Sequence, residues 1–258
     1  MEYSSYPRIG LKLWSINTDT YLNAAVQLHQ QGIFDYLELY VVPDTLHTLD
    51  LWRNTNIPYQ IHAPHFAHGV NLARPEKLAD NQRFYEQVAT FFRELDAEYT
   101  VVHLGIEGDI EEAIRQLGII NPPSVLIENK PYLAPFGEGL CCRGATLPEI
   151  EQVMLGTGCG LCLDIGHALC TANFLRQDPY ETLAAFQQLS PQCYHVSDNF
   201  IDSHIDRHLN FGQGNYDFLK IFSLLTSIRN LTIETNKNSK DDLQDFVGDV
   251  QFLKGLFE

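Results

Sequence analysis

The sequence predicts a (β/α)8 TIM barrel, and two observations support this fold class. Short runs of β-branched and aromatic residues alternate along the chain with longer amphipathic stretches. This alternation repeats eight times without a linker-like or low-complexity segment, which favours a barrel over a doubly wound sheet. A chain of 258 residues that is 45% hydrophobic can build one barrel core, so we expect a single domain over residues 1–258.

Each predicted unit pairs a strand with a helix. The strands are apolar runs such as RIGLKLW at residues 8–14. Several helices begin near a capping residue type, as at Asp44, Asp109 and Thr146. In chain order the predicted elements are strand 8–14, helix 18–31, strand 36–42, helix 44–54, strand 58–63, helix 75–97, strand 99–105, helix 109–118, strand 124–129, helix 147–156, strand 160–166, helix 178–189, strand 192–198, helix 215–228, strand 231–235 and helix 240–256.

The loop after the fifth predicted strand is the longest stretch without periodicity. Residues 130–145, KPYLAPFGEGLCCRGA, are rich in Gly and Pro. Long loops in compact barrels are often functional. We therefore expect this segment to be a substrate loop near the barrel mouth.

Charge and cysteine content narrow the classes of function. The formal net charge of −16, from 17 basic and 33 acidic residues, weighs against a duplex nucleic-acid partner. Six cysteines are too few for a disulfide scaffold, and the lone C-x-x-C of Cys159 and Cys162 overlaps a predicted strand. No long apolar run and no leader pattern is present, so we expect a cytoplasmic protein that does not bind membranes.

Polar residues close most of the apolar strands. In a barrel of this kind the active site lies at the carboxyl ends of the strands. A lone histidine there is often structural, and a lone carboxylate is often a cap, but repetition on strand after strand favours one shared site. Carboxylates that converge on a dry mouth repel one another unless cations neutralise them, so we expect divalent metal ions. The residues concerned are His65, His103, Glu128, Asp164, His167, His195 and Glu234.

Strand alternation supports this interpretation. It places Glu128 and Leu126 on one face of their strand, and Ile127 on the other. The same parity turns Asp164, His195 and Glu234 inward and turns Leu163, Val196 and Ile233 outward under the helices.

The stretch HIDRHLNFGQGN at residues 204–215 adds Asp206 and His208, which brings the candidate ligands to nine. That number suffices for about two or three ions. Imidazole and carboxylate together suit zinc, manganese or iron, whereas carboxylates and waters alone would suit magnesium.

The motifs together resemble endonuclease IV, the trinuclear-zinc apurinic endonuclease of AP endonuclease family 2, within the xylose isomerase-like TIM barrels. The D-x-H and G-x-G-N element is the most specific part of the resemblance, which extends from about residue 60 to residue 236. The matching segments are PH (64–65), VVHLG (101–105), LIEN (126–129), LCLDIGHA (161–168), HVSD (195–198), DRH (206–208), GQGN (212–215) and TIET (232–235).

The resemblance implies a ligand set for up to three zinc ions. Glu128 would bridge two ions, one completed by His65 and His103 and the other by Asp164, His195 and Glu234. The third ion would be held by His167, Asp206 and His208. Of the remaining histidines, His62 and His68 are candidates for supporting the ligands or contacting substrate, and His29 and His47 are expected at the surface.

Two enzyme classes fit these residues, and the catalytic residues in both are Glu128 and Glu234. One is a phosphoester hydrolase that acts on abasic DNA or on a smaller phosphorylated molecule. The other is a sugar or sugar-phosphate isomerase or epimerase with one ion on Glu128, Asp164, His195 and Glu234. A catalytically silent metal-binding scaffold is a third hypothesis.

Two features separate these hypotheses. The hydrolase needs His167, Asp206 and His208, whereas a simple isomerase does not. The family's DNA-binding loops follow the first two strands, but residues 13–21 and 40–52 are uncharged or acidic here, with Arg53 as the nearest basic residue. The small substrate could instead be contacted by Lys12, Lys130 and Arg143.

Overall fold

Eight parallel strands close into a barrel in the computed structural model, which describes residues 6–135, 139–239 and 241–257. Each strand pairs with the next along the chain, and the eighth pairs with the first, so the predicted (β/α)8 fold is confirmed. The strands are β1 (Arg8–Trp14), β2 (Tyr36–Tyr40), β3 (Tyr59–His62), β4 (Thr100–Val102), β5 (Val125–Glu128), β6 (Gly160–Asp164), β7 (Cys193–Val196) and β8 (Asn230–Ile233).

Helices surround the barrel and cover its outer face. They are α1 (Thr20–Gln30), α2 (Leu49–Arg53), α3 (Leu78–Glu94), α4 (Ile110–Ile120), α5 (Leu147–Thr157), α6 (Ile165–Leu175), α7 (Pro179–Gln187), α8 (Phe218–Leu224) and α9 (Gln244–Phe257). Short 3₁₀ turns cover Leu46–Thr48, Phe66–His68 and Pro75–Lys77. No helix in the described ranges is long and apolar enough to cross a membrane.

Helix α6 was not predicted from the sequence. The prediction extended a strand to residue 166 and placed the next helix at 178–189, but the chain turns directly from β6 into α6. Every residue from Ile165 to Ala172 is buried, so this helix lacks the polar face that gives a surface helix its periodicity.

Three predicted helix starts have different outcomes. Thr146 forms a capping box with Glu149 at the start of α5, which confirms that cap. Asp109 occupies the N-cap position of α4 but makes no side-chain cap hydrogen bond. The prediction for Asp44 was wrong, because this residue has φ of 64° and precedes a 3₁₀ turn. Its carboxylate accepts a hydrogen bond from Gln87 Nε2 at 3.1 Å.

The predicted strand parity is confirmed. The outward residues Ile127, Leu163, Val196 and Ile233 belong to the main apolar core between the barrel and its helices. A second, small apolar cluster lies inside the barrel and consists of Tyr99, Val101, Leu126, Cys162 and Cys193. This cluster closes the barrel interior next to the inward-facing polar residues.

The expected substrate loop at residues 130–145 follows β5. Residues 136–138 of the expected substrate loop lie outside the described residues. Isolated bridges pair Leu133 with Cys141 and Ile106 with Cys142, so the described part of the loop contacts the segment after β4.

None of the six cysteines forms a disulfide bond.

Candidate metal centre

Glu128, the last residue of β5, lies at the centre of the polar cluster. Its side chain is 1% exposed. His103 Nε2 lies 2.6 Å and His62 Nε2 lies 3.1 Å from Glu128 Oε2. On the other side, His167 Nδ1 lies 3.1 Å and Lys130 Nζ lies 3.7 Å from Glu128 Oε1. Both carboxylate oxygens therefore face groups that bind cations or carry positive charge.

A second cluster crosses from β7 to β8 and β1. His195 Nδ1 lies 2.7 Å from Glu234 Oε1 and 3.5 Å from Glu128 Oε2. Lys12 Nζ contacts Glu234 Oε1 directly. The ammonium of Lys12 also lies 3.5 Å from Glu38 Oε1, and the carboxylate of Glu38 is fully buried on β2. Glu38 was not predicted from the sequence as a site residue.

A third cluster joins the start of α6 to the loop after β7. Asp164 ends β6 and caps α6, because its Oδ1 accepts a hydrogen bond from His167 N at 2.7 Å. His167 Nε2 lies 3.6 Å from Asp206 Oδ2, and His208 Nδ1 lies 3.9 Å from the same oxygen. The ligand atoms of His167, Asp206 and His208 all lie within 4.8 Å of one another. His167 therefore lies beside Asp206 and His208, which follow it in the sequence by 39 and 41 positions.

His65 lies beside these clusters. Its ring stacks on His103 with centroids 5.6 Å apart, but its Nδ1 accepts a hydrogen bond from Ala67 N. His62, in contrast, is oriented as metal-binding histidines usually are. Its Nδ1 lies 2.8 Å from Ala63 O, where an N–H can donate, and this leaves Nε2 facing Glu128. A group of ligand atoms within 4.8 Å contains His62, His103 and Glu128 and does not include His65.

Electrostatics at the mouth favour bound cations. Burial opposes the charge of Glu128, but the hydrogen bond from His103 and the positive charges of Lys130 and His195 outweigh it and hold the pKa of this carboxyl well below its usual value. Burial together with Asp206, Glu128 and Glu234 raises the pKa of Asp164 well above its usual value. The cluster therefore holds more acidic groups than its own cations can keep ionised.

The pKa values of the histidines favour cation binding in two ways. Burial lowers the pKa of His65 to about 2 and the pKa of His103 well below its usual value, so both rings are neutral near pH 7. Neutral imidazole is the form that binds metals. For His195, burial works in the same direction, but Glu234, Glu38 and Glu128 outweigh it and raise its pKa well above the usual value. A cation that replaced this proton would keep the carboxylates neutralised.

Unsatisfied polar atoms test whether the residues fit a metal. Among the described residues, ten buried side-chain nitrogen and oxygen atoms lack a hydrogen-bond partner. Six of the ten belong to this site. They are Glu38 Oε1, His103 Nδ1, Glu128 Oε1, His195 Nδ1, Asp206 Oδ2 and His208 Nδ1. Such atoms are rare in folded proteins, and their concentration here fits a mixed nitrogen and oxygen donor set for divalent ions.

A pocket of about 730 Å³ opens above the clusters. Trp14 is 41% exposed and packs on Tyr40 with ring centroids 5.2 Å apart, which gives the pocket an aromatic wall. Lys12, Lys130 and Lys237 also line it. A larger hollow of about 900 Å³ at the opposite end of the barrel is lined by residues of α4, α5, β5 and β6 and of the adjoining turns, and contains none of the clustered ligands. We assign the chemistry to the mouth because the titratable groups converge there.

Comparison with known proteins agrees with the fold. A family model described as a xylose isomerase-like TIM barrel matches residues 34–256. The chain therefore belongs to the xylose isomerase-like TIM barrel family. A curated relative, the uncharacterized protein MJ1311 of Methanocaldococcus jannaschii, is 26% identical over 181 residues. That match covers 60% of this chain and 58% of the relative, so the chain spans less than two thirds of the relative's length.

Solved structures of both expected enzyme classes share the fold. A D-tagatose 3-epimerase-like protein has a TM-score of 0.73 and 20% identity, with 96% of each chain covered. Endonuclease IV from Thermus thermophilus has a TM-score of 0.70 and 20% identity, with 96% of this chain and 100% of the other covered. The TTHB071 protein from the same organism, soaked with zinc chloride, has a TM-score of 0.65 and 18% identity, with 96% of this chain and 97% of the other covered.

Proposed function

We propose that this protein is a divalent-metal-dependent phosphoester hydrolase with a metal centre of the endonuclease IV type. The observation that carries the proposal is the assembled trio of His167, Asp206 and His208 beside Glu128. A one-ion isomerase has no use for these three ligands, and their side chains come from two separate parts of the chain. Burying such a cluster of polar groups without a cation would be costly.

The proposed centre keeps the ligands predicted from the sequence, including His65, and adds His62 as a further candidate. Glu128 would be shared by two ions, and zinc is the ion we expect, with manganese or iron as alternatives. His62 joins His103 as a ligand candidate at the place for which the sequence suggested His65 and His103. The other predicted ligands are Asp164, His167, His195, Asp206, His208 and Glu234. When bound, such ions supply a hydroxide nucleophile near neutral pH and stabilise charge on a leaving oxygen.

The substrate we propose is a small phosphorylated molecule. A pocket of about 730 Å³ is in the size range of small-molecule sites. The ammonium groups of Lys12, Lys130 and Lys237 line it and can bind phosphate oxygens, and Trp14 offers an apolar wall. Arg143 is less suited to this role because it does not line this pocket and pairs with Glu149 at 3.2 Å.

Abasic DNA is the less favoured substrate. The net charge of −16 repels a polyanion. Arg53, the basic residue nearest the loop after β2, pairs with Asp50 at 3.0 Å and with Glu94 at 3.5 Å. Its charge is therefore already neutralised by neighbours.

A sugar or sugar-phosphate isomerase is the second candidate, and one observation favours it. Each of the two glutamates that would transfer protons lies beside an ammonium group. Lys12 contacts Glu234, and Lys130 lies 3.7 Å from Glu128. An ammonium in this position could stabilise negative charge on a substrate oxygen during proton transfer.

Metal content and a substrate panel separate the two candidates. Protein purified without chelator should contain three ions per chain if it is the hydrolase, and one ion if it is the isomerase. The panel should contain a chromogenic phosphodiester, a chromogenic phosphomonoester, abasic duplex DNA, and a set of aldoses, ketoses and their phosphates. We expect cleavage of the small phosphoesters and no cleavage of the duplex.

Variants make the test specific. Asp206→Ala should reduce phosphoester cleavage to background, whereas an isomerase would keep its activity. His204→Ala is the matched control, because His204 is an exposed histidine in the same loop. Glu128→Gln should remove activity in both cases. Full hydrolytic activity in Asp206→Ala would reject the three-ion centre.

A further inference from the structure

Glu38 is a buried carboxylate that the proposed ligand set does not use. It lies in the middle of β2 and is 0% exposed. A charge removed from water costs several kcal/mol or more unless other groups compensate it. The groups around Glu38 therefore indicate what the residue does.

The carboxylate of Glu38 reaches across the barrel interior to β7 and β8. Its Oε2 accepts a hydrogen bond from His195 Nε2 at 2.9 Å and from Thr232 Oγ1 at 2.8 Å. His195 and Thr232 are register partners on β7 and β8. On its own side, Glu38 is the register partner of Lys12 on β1, whose ammonium lies 3.5 Å from Oε1.

These contacts leave one nitrogen of His195 facing the metal centre. With Nε2 bound to Glu38, Nδ1 points to Glu234 Oε1 at 2.7 Å and to Glu128 Oε2 at 3.5 Å. A neutral imidazole that donates from Nε2 carries its lone pair on Nδ1. Metal-binding histidines commonly donate their other N–H to a carboxylate, which fixes both the tautomer and the orientation of the ring.

We propose that Glu38 is a positioning residue that holds His195 with its Nδ1 directed at the metal centre. The inference rests on the metal centre proposed above and is independent of which reaction that centre catalyses. Cys162 and Cys193 also have sulfur atoms within 4.8 Å of a His195 nitrogen, but a thiol is a weaker acceptor than a carboxylate. Thr232 donates to the same Glu38 oxygen and so helps to fix its orientation.

Zinc affinity of a conservative variant tests this role. Glu38→Gln keeps the shape of the side chain and removes its charge. We expect its zinc affinity to be roughly 10–100-fold weaker than that of the wild type, measured by competition with a chromophoric chelator. Gln60→Ala is the control, because Gln60 is also fully buried and is the register partner of Glu38 on β3, but its Oε1 binds Glu98 N and Tyr99 N. The control should bind zinc as the wild type does.

A second measurement uses the wild-type protein and needs no variant. Nitrogen NMR of ¹⁵N-histidine-labelled, zinc-loaded protein should show His195 bound to zinc through Nδ1 and protonated on Nε2.

A second variant tests whether the carboxylate itself is required. Glu38→Asp, which retains a carboxylate, should recover part of the affinity lost in Glu38→Gln. A general effect of the buried charge on folding would change neither the tautomer nor the order of these affinities.

The outcomes separate this inference from the proposed function. If zinc binds normally and no phosphoester is cleaved, the hydrolase proposal fails, and the zinc titration still decides the role of Glu38. Wild-type affinity in a folded Glu38→Gln, or zinc bound through Nε2 of His195, would overturn the positioning role. A wild-type protein that binds no zinc would overturn both.

Discussion

The barrel mouth contains an unusually large number of carboxylate side chains. Five buried or nearly buried carboxylates meet there, namely those of Glu38, Glu128, Asp164, Asp206 and Glu234. The ammonium groups of Lys12 and Lys130 compensate part of this charge. The polar atoms that remain without hydrogen-bond partners indicate that the compensation is incomplete.

Replacing Lys12 by Met should destabilise the metal-free protein more than the zinc-loaded protein. The Lys12 side chain is 13% exposed and pairs with Glu234 and Glu38. Breaking a buried ion pair costs about 3–5 kcal/mol, because it leaves a charge without a partner. A bound ion at Glu234 would take over the neutralisation, so zinc should recover most of the loss. Urea unfolding of both proteins, with zinc and with chelator, measures the difference.

The control for this prediction is Arg115→Met. Arg115 is exposed and pairs with Glu112 in the same helix, so its loss should leave the unfolding midpoint unchanged in either condition. A metal-free Lys12→Met protein as stable as the wild type would show that the ion pairs of Lys12 do not contribute as described.

Acid should destabilise the metal-free protein through His65. Burial is the main reason that the pKa of this ring falls from 6.5 to about 2. Between these values the unfolded chain binds a proton and the folded chain does not, so stability is lost as the pH falls below 6.5. At about pH 5 the cost is about 2 kcal/mol relative to about pH 7.5. Comparing urea unfolding of the wild type and His65→Gln at these two pH values isolates this cost. The variant should lose less stability on acidification, and an equal loss would contradict the prediction.

Most of the ligand candidates could be predicted from the sequence because they end or closely follow an apolar run, as Glu128 does in VLIE, whereas Asp206 and His208 were indicated by their D-x-H motif. Glu38 has the same signal in YLELY, where a charged residue stands between apolar ones. Its partner His195 comes from β7, on the far side of the barrel. Local sequence carries no information on which inward side chains meet across that distance. The same limit applies to His62 and His65, since a spacing of three residues does not say which ring faces Glu128.

The loop from β7 to α8 shows how a long segment outside helices and strands can be ordered. Asp198 is 1% exposed and acts as its anchor. Its Oδ2 accepts hydrogen bonds from Gly212 N and Gly214 N, both at 2.9 Å, and its Oδ1 accepts one from Asn199 N at 2.8 Å. A Cβ on Gly214 would lie 2.2 Å from Asn199 O. The glycine therefore allows the backbone to pass close to Asp198 and Asn199.

Replacing Asp198 by Ala should release this loop and empty the third metal position. Hydrogen bonds to a charged carboxylate contribute about 1.5–3 kcal/mol each. The N–H groups released in the opened loop bind water and recover part of this energy, so we expect a net loss of roughly 2–4 kcal/mol in unfolding free energy. Asp206 and His208 would lose their fixed positions, whereas Asp164 and Glu234 would not. Hydrogen exchange should rise within residues 199–216, and the metal content should fall by one ion per chain.

Asp202→Ala is the matched control for the loop. Asp202 lies in the same loop and is exposed, so its replacement removes an equal charge without disturbing the anchor. Unchanged metal content in Asp198→Ala, together with slow exchange across the loop, would show that another contact orders the segment.

Helix boundaries show where periodicity is informative. Helix α5 could be predicted almost to the residue, because Thr146 and Glu149 form a capping box and Gly158 ends the helix with φ of 73°. Helix α6 could not, since it is buried along its first two turns and follows β6 without a loop. Its position is nevertheless important, because this direct turn brings His167 beside Asp164 and Glu128.

The barrel as a whole explains why distant residues form one site. Parallel strands in sequential order point all eight carboxyl ends to the same rim, so residues from β1 to β8 share it. The fold could therefore be predicted from the repeated alternation alone. The number and identity of the ions depend on distances of a few tenths of an ångström, which the alternation does not determine.

Removing metal should lower the stability of the whole protein. The chain carries a net charge of −16, and five of its carboxylates meet at the barrel mouth. An ion that binds only the folded state stabilises it by about 2.7 kcal/mol at a concentration of 100 Kd. For a chain of this length that corresponds to roughly 5–10 °C in melting temperature per site. Thermal unfolding after dialysis against EDTA, and again after adding zinc, measures the shift.

The same measurement with different metals tests which ligands bind the ions. Imidazole nitrogens contribute to each proposed position, so zinc and manganese should raise the melting temperature more than magnesium does. The double variant Asp206→Ala with His208→Ala should keep part of the zinc effect, because Glu128, Asp164, His195 and Glu234 still form a site. A melting temperature that is indifferent to EDTA and to all three metals would mean that the carboxylates are held by protons and lysines alone, and the metal centre would have to be abandoned.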